Sequence, residues 1–323
     1  MVKTTLAALA AMVLALSAGA AAAQDKVTVA YFLEWPTANQ VAQLEDRYSE
    51  ALGVPVEWRA FGNGNEMSQA MASGNVQIAY SQGLVPFTVA VSNGLPLKLV
   101  GIAVSYAEAD NCIVREDAGI TKENAKELEG KKVATPIGNV THYKMLRTLE
   151  HLGVDASKVD VVQMNGADAA VALQRGDVVM ACAFGGPVQR MKEVGHELMT
   201  AKEQEEIGIR VFDVVSTTEQ FAQAHPDLLR KFMAVTDEAN AAYNENPAQY
   251  QETISKAAGM DLDSTKEMLG MFTFPSAEEQ KSKAWMGGAV QDFTKQVADF
   301  FVEQGQLEKA LDSYDFAVDP GYL

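Results

Sequence analysis

Gly74-Asn75-Val76-Gln77-Ile78-Ala79 and Gly176-Asp177-Val178-Val179-Met180-Ala181 repeat one pattern 102 residues apart. Each follows a helical-looking segment, turns on Gly with Asn or Asp, and runs apolar for a few residues. Each then opens into a polar or Gly-rich loop, Tyr80-Ser81-Gln82-Gly83 in the first case and Cys182-Ala183-Phe184-Gly185-Gly186-Pro187 in the second. A second echo lies upstream. Lys26-Val27-Thr28-Val29-Ala30 and Lys132-Val133-Ala134-Thr135, 106 residues apart, read as short strands that each lead through a loop into a helix. Two echoes with nearly equal offsets describe an α/β chain of two similar β-α-β lobes joined by a two-strand hinge. Loops and helix N-termini from both lobes then surround a shared cleft.

The rest of the chain fits that frame. Residues 37–52 read as a helix stopped at Gly53, Val54 to Trp58 as a strand, Glu66 to Ser73 and Pro86 to Ser92 as helices, and Leu97 to Val104 as a buried strand. Ser105 to Asn111 interrupts that strand and reads as the first crossover. The second lobe holds strand 132–135, a helix from about Thr141 to Leu152, strand 159–163, helix 167–175 and strand 178–183. The chain is expected to cross back around Arg210 to Val215. From Pro226 the pattern is helical, with further helices near 247–257, 263–270 and 276–304 that are expected to buttress the first lobe. The lobes are therefore drawn as 24–108 with 214–323, and 109–213.

The N-terminus carries Lys3, an apolar stretch from Leu6 to Leu16, and Ala21-Ala22-Ala23 before Gln24-Asp25. This is the pattern of a secretory signal peptide over residues 1–23. The stretch is too short to span a bilayer, and no Cys stands at the cleavage site to take a lipid. Export without an anchor points to the periplasm. Removing 23 of 323 residues leaves 300, enough for two lobes. Cys112 and Cys182 sit in apolar strand-like runs and read as buried free thiols, in a compartment that permits a disulfide. The formal charge of −17, with no basic run, argues against nucleic acid as a partner.

The four histidines, His142, His151, His196 and His225, show no metal-type spacing, and no HExxH, Gly-x-Ser-x-Gly or Walker loop occurs. Neither catalysis nor a metal or cofactor is supported. Polar helix starts are present instead. In Pro136-Ile137-Gly138-Asn139-Val140-Thr141-His142-Tyr143 a strand ends, Gly138 turns the backbone, and Thr141 is placed to cap the helix. Such an end binds an oxyanion without Lys or Arg, which suits an acidic protein. Gln82-Gly83 makes the matching end in the first lobe. Glu34, Glu108 and Asp110 are candidates for an opposite charge, and Asp110, at the lobe junction beside an apolar strand, needs a cationic partner if buried. Tyr31, Trp35, Tyr80, Tyr106 and Phe184 fall at strand ends and loops around the same cleft.

Val27-Thr28-Val29-Ala30-Tyr31, Met71-Ala72-Ser73-Gly74-Asn75-Val76-Gln77-Ile78, Gly130-Lys131-Lys132-Val133-Ala134-Thr135-Pro136, Thr141-His142-Tyr143 and Gln174-Arg175-Gly176-Asp177 together resemble periplasmic substrate-binding proteins of ABC transporters for taurine and related alkanesulfonates. The resemblance covers nearly the whole chain after the leader. It implies a two-lobed periplasmic-binding-protein fold, type II-like, that closes on one ligand as a monomer and delivers it to an inner-membrane permease. It also implies that Gln82 and the Val140-Thr141-His142 helix start take the sulfonate. Asp110 would then take the ammonium, and Phe184 the aromatic wall position where relatives carry Trp. The loop Phe32-Leu33-Glu34-Trp35-Pro36 is bulkier and more acidic than in enterobacterial taurine proteins, and Tyr80-Ser81-Gln82 replaces a smaller turn. A bulkier amine, a quaternary amine, a nitrate-like anion or a thiamine-precursor pyrimidine therefore stand as alternative ligands.

Overall fold

The computed structural model describes residues 25–323, so the leader expected over 1–23 lies outside the described residues. The chain begins with β1 (Val27–Tyr31), helices α1 (Gln40–Leu44) and α2 (Arg47–Leu52), β2 (Val56–Ala60), α3 (Gly64–Ala72), β3 (Ile78–Gly83), α4 (Leu84–Ser92) and β4 (Leu97–Tyr106). A three-residue turn leads to β5 (Asp110–Arg115), β6 (Lys132–Thr135), α5 (Val140–His151), β7 (Asp160–Gln163), α6 (Gly166–Arg175), β8 (Met180–Phe184), α7 (Gly186–Lys192) and β9 (Gly195–Glu197). It closes with α8 (Ala201–Glu206), β10 (Val211–Thr218), α9 (Glu219–Ala224), α10 (Pro226–Glu245), α11 (Pro247–Ala258), α12 (Leu262–Gly270), α13 (Ala277–Lys281) and α14 (Ala289–Glu303).

Two five-stranded sheets share one plan. Their orders are β2-β1-β3-β10-β4 and β7-β6-β8-β5-β9. In each, four strands run in one direction and the fourth in order, β10 or β5, runs against them. The sequence echoes fall on matching places: Ala30 pairs with Ala79 in the first sheet, and Ala134 with Ala181 in the second. Gly74 and Gly176 have φ of +75° and +81°. Both lie in the left-handed region that glycine enters without a Cβ penalty, so each ends its helix and turns the chain into the next strand. The fourth strand of each sheet arrives by a crossover: β5 follows β4 directly, and β10 returns after β9 and α8. This is the α/β, two-lobed fold that the sequence describes.

Several expectations are corrected. The helix read over 37–52 is two helices, because Asp46 adopts φ +58° between them. The helix read over 276–304 is α13 and α14 separated by a turn, with Gly287 packed against the Ser282 and Lys281 carbonyls where a side chain would not fit. Nor do the C-terminal helices buttress the first sheet alone. Phe293, Phe300 and Phe301 of α14 surround Tyr143 of α5, with ring centroids 5.5–6.3 Å apart. Finally, Cys112 and Cys182 are not free thiols. They face each other across β5 and β8 and form a disulfide, a register that two apolar runs 70 residues apart do not reveal.

Candidate functional site

The strand β6 ends at Thr135, and Gly138, at φ +76°, swings the backbone into α5. Asn139 is the N-cap, yet its side chain does not cap the helix; its Oδ1 instead accepts the Gly64 N–H at 2.9 Å. Thr141 is therefore not the cap that the sequence suggests. It lies inside the first turn, fully buried, and its hydroxyl has no partner in the protein. First-turn N–H groups have no acceptor within their helix, and their dipoles leave that end partly positive. The start of α4 lies alongside: a Cβ on Gly83 would come within 2.6 Å of Val140 Cγ2, so only glycine lets the two helix starts approach this closely.

Two carboxyl groups complete the polar lining. Asp110 opens β5 and Asp213 lies in β10, one on each crossover strand, and both are nearly inaccessible. Asp213 is satisfied, its Oδ1 accepting from the Tyr106 hydroxyl at 2.8 Å and its Oδ2 from the Ser81 hydroxyl at 2.8 Å. Ser81 in turn accepts the Trp35 indole N–H at 2.9 Å, from a backbone at φ +63° that few residues other than glycine adopt. Asp110 is not satisfied: neither carboxylate oxygen has a protein partner. Burial pushes Asp110 up to about 7, partly offset by the Lys144 ammonium. Burial likewise pushes Asp213 up to about 7 against the hydrogen bonds from Ser81 and Tyr106.

Asp110, Asp213, Asn139, Val140, Thr141, Gly83 and Tyr106, with Phe32 and Phe184, enclose one narrow cavity of about 10 Å³ between the two sheets. Phe32 and Phe184, tilted against each other with ring centroids 4.9 Å apart, divide it from a larger, mostly apolar outer chamber of about 480 Å³ that opens to solvent. The inner cavity is the candidate site, because that is where buried polar groups lack partners. Trp35 stands behind the wall, 4.9 Å from Tyr106 and 5.5 Å from Phe184.

The structure brings Tyr106, Asp110, Val140, Thr141 and Phe184 together and leaves the other expected residues outside the lining. Gln82 is buried, with its amide donating to Ser68 Oγ and Gly64 O and accepting from Ser216. Tyr80 points to the opposite face of β3, into the core with Tyr48 and Phe232. His142 turns towards Phe301 and accepts the Gly138 N–H at 3.1 Å; burial lowers it to about 4, so it is neutral. Glu34 lies in the outer chamber, where both its oxygens accept from Arg190 of the other lobe at 2.8 and 2.9 Å. With the Gly64–Asn139 bond, Asn63 also joins the lobes, its side-chain amide donating to Asn165 Oδ1 at 2.6 Å.

Sequence reading missed Asp213, Asn139, Phe32 and Lys144. The signal for Asp213 was present, since it is the lone acid in Val211-Phe212-Asp213-Val214-Val215. Chemically, the cavity offers hydrogen-bond donors at the helix starts and negative charge at the crossovers. Among the described residues no group of three or more His, Cys, Asp or Glu is arranged to hold a metal ion.

This cavity lies between the lobes of a fold with known relatives. A model of the family described as NMT1/THI5 like matches residues 40–250, and the chain belongs to that family. The taurine-binding periplasmic protein of Escherichia coli K12 is 29% identical over 294 residues, covering 89% of each chain. A putative aliphatic sulfonates-binding protein of the same organism is 30% identical over 135 residues, covering 42% of this chain and 40% of that one. In structure, the alkanesulfonate-binding protein SsuA of Xanthomonas axonopodis pv. citri, bound to MOPS, superposes with a TM-score of 0.75 at 18% identity, covering 92% and 98% of the two chains. The desulfurization enzyme DSZB also shares the fold, with a TM-score of 0.64 at 13% identity over 93% and 97%. The fold therefore serves binding and catalysis alike, while the sequence relatives are named as binding proteins.

Proposed function

We propose that the chain is the periplasmic solute-binding component of an ABC importer, and that it holds taurine or a closely related small aminosulfonate in the inner cavity. The observation that carries this reading is the set of unpartnered buried atoms at one cavity: both Asp110 carboxylate oxygens and the Thr141 hydroxyl, at the uncapped start of α5. A buried carboxylate without a partner is costly, and an ammonium donating to it removes that cost. An oxyanion at a helix start is held by free N–H groups and by the dipole. The two ends together suit a molecule with one ammonium and one sulfonate. As the lobes stand, the inner cavity has room for only about 10 Å³, the space of about one water, so taurine enters it as the lobes part and Phe32 and Phe184 move aside. Similarity to the taurine-binding protein of E. coli supports the same ligand class.

In this reading residues 1–23 are a signal peptide cleaved near Ala23, and the mature monomer works in the periplasm. The lobes are 24–108 with 214–323, and 109–213. They hinge about the crossovers near 104–111 and 211–216. Ligand touching both lobes selects the closed state, which docks on the permease. Among the described residues no helix is long and apolar enough to cross a membrane.

A fluorescence titration tests the ligand. Trp35 packs directly behind the cavity wall, and taurine itself does not absorb in the near ultraviolet. Saturable change in tryptophan emission on adding taurine, absent in Trp35→Phe, is the expected result. Emission that responds to a thiamine-precursor pyrimidine but not to taurine would overturn the ligand assignment.

A further inference from the structure

Among the described residues Lys144 is the one lysine or arginine that is buried, at 2% exposure. It lies three residues after Thr141, hence on the same face of α5 and one turn deeper. Its Nζ donates to the backbone carbonyl of Ala107 at 2.9 Å and to that of Asp110. Both carbonyls belong to the turn by which the chain first crosses between sheets. The ammonium thus sits beneath the backbone of Asp110, while the Asp110 carboxylate lines the cavity with no partner. A buried lysine bonded only to carbonyls has no carboxylate contact of its own, so its charge acts on whatever ionises nearby.

We propose that Lys144 is a positioning residue of the ligand site: it pins the Ala107–Asp110 turn and keeps the Asp110 carboxylate ionised, and so sets the pH range over which an ammonium-bearing ligand is bound. This rests on the aminosulfonate reading for the ligand, but not for the effect of Lys144 on Asp110.

The charged neighbours are few. Lys144 of α5 faces Asp110 of β5; burial is the main cause that raises Asp213 of β10 and the Tyr106 phenol of β4, and the Asp110 charge adds to both. Lys144 is pushed down by burial and held up by Asp110, Glu197, Glu205 and Glu108, in that order. With Lys144 in place, Asp110 ionises at about 7; with a neutral residue there, the attraction that opposes burial is gone and ionisation moves to higher pH. An ammonium ligand binds the ionised form. Its affinity therefore falls about tenfold for each pH unit below the ionisation midpoint and levels off above it.

Two measurements on the same proteins test the proposal. The first follows the Asp110 carboxyl by 13C NMR in ligand-free wild type, Lys144→Gln and Lys144→Arg, with assignment from the signal lost in Asp110→Asn. Gln keeps a donor for the two carbonyls without the charge, and Arg keeps the charge. The expected result is a midpoint raised by about one unit or more in Lys144→Gln and nearly restored in Lys144→Arg. The second is taurine affinity by calorimetry from pH 5.5 to 8.5. Lys144→Gln is expected to bind about tenfold more weakly at pH 5.5 and within about twofold of wild type at pH 8.5.

An unmoved Asp110 midpoint, or an affinity loss equal at every pH, would overturn the proposal, since both mean that Lys144 only packs the turn. A raised midpoint with no taurine binding by wild type at any pH supports the role of Lys144 and removes the ligand reading instead.

Discussion

The Tyr106 hydroxyl donates to Asp213 Oδ1 at 2.8 Å, joining the last residue of the strand that leaves the first sheet to the strand that returns to it. Ser81 occupies the other oxygen of Asp213, and Trp35 stands behind Ser81. One of the two cavity acids is therefore part of the scaffold. Asp110, with no partner for either oxygen, is the one left for a ligand.

Asp110→Asn is expected to weaken taurine binding by about 1–3 kcal/mol, because a charged partner is lost. It should also stabilise the ligand-free protein at alkaline pH. Burial raises Asp110 from 3.8 to about 7, so between those values the folded state binds a proton that the unfolded state does not. Its stabilising contribution is full below about 3.8 and disappears as pH rises through about 7. Urea unfolding at pH 8 should show the variant more stable than wild type by on the order of 1–3 kcal/mol, and at pH 4 little changed. A variant less stable at pH 8 would contradict the burial of an unpaired carboxylate.

Thr141→Val keeps the shape of the side chain and removes a hydroxyl that has no partner in the protein. Ligand-free stability should hold or rise slightly, whereas taurine affinity should fall by about 1 kcal/mol, the usual worth of one hydrogen bond. Parallel thermal unfolding and calorimetry separate the two effects. Equal loss in both would make the hydroxyl structural.

His142 has the opposite linkage from Asp110. Burial lowers it from 6.5 to about 4, so the unfolded chain takes up a proton that the folded protein refuses. The stability it contributes is complete above 6.5 and is lost as pH falls towards 4, on the order of 2–3 kcal/mol in all. His142→Gln, which can still accept from Gly138, should therefore lose less stability between pH 7 and 4 than wild type. Its NMR titration in wild type should show no protonation above pH 5.

The Cys112–Cys182 bridge closes a loop of 70 residues in sequence. Loop-closure entropy for that length corresponds to about 4 kcal/mol at room temperature. Cys112→Ala with Cys182→Ala should lower stability by 2–4 kcal/mol. The bridge lies on strands leading to the cavity and does not line it, so taurine affinity well below the melting temperature should stay within about twofold of wild type.

Much of the fold was legible because it depends on local signals that recur. Gly74 and Gly176 mark helix ends, and the apolar runs after them become β3 and β8 in matching registers. The disulfide and the turn between α13 and α14 were not legible, since both depend on what a residue meets across the molecule. The site divides in the same way. Asp110, Val140 and Thr141 sit at strand or helix ends that periodicity locates. Whether Gln82 faces a cavity or Ser68 and Ser216 depends on the local path of β3, where Ser81 leaves the extended backbone. Glu34 reads as a free acid until Arg190, 156 residues on, is placed beside it.

The most direct test of the ligand assignment is calorimetry at pH 8 with taurine and with isethionate, which replaces the ammonium by a hydroxyl and keeps the sulfonate. The expected result is saturable taurine binding with isethionate at least about tenfold weaker, a difference of about 1.4 kcal/mol or more, that disappears in Asp110→Asn. Isethionate binding as tightly as taurine, or no binding of either, would contradict an ammonium held by Asp110.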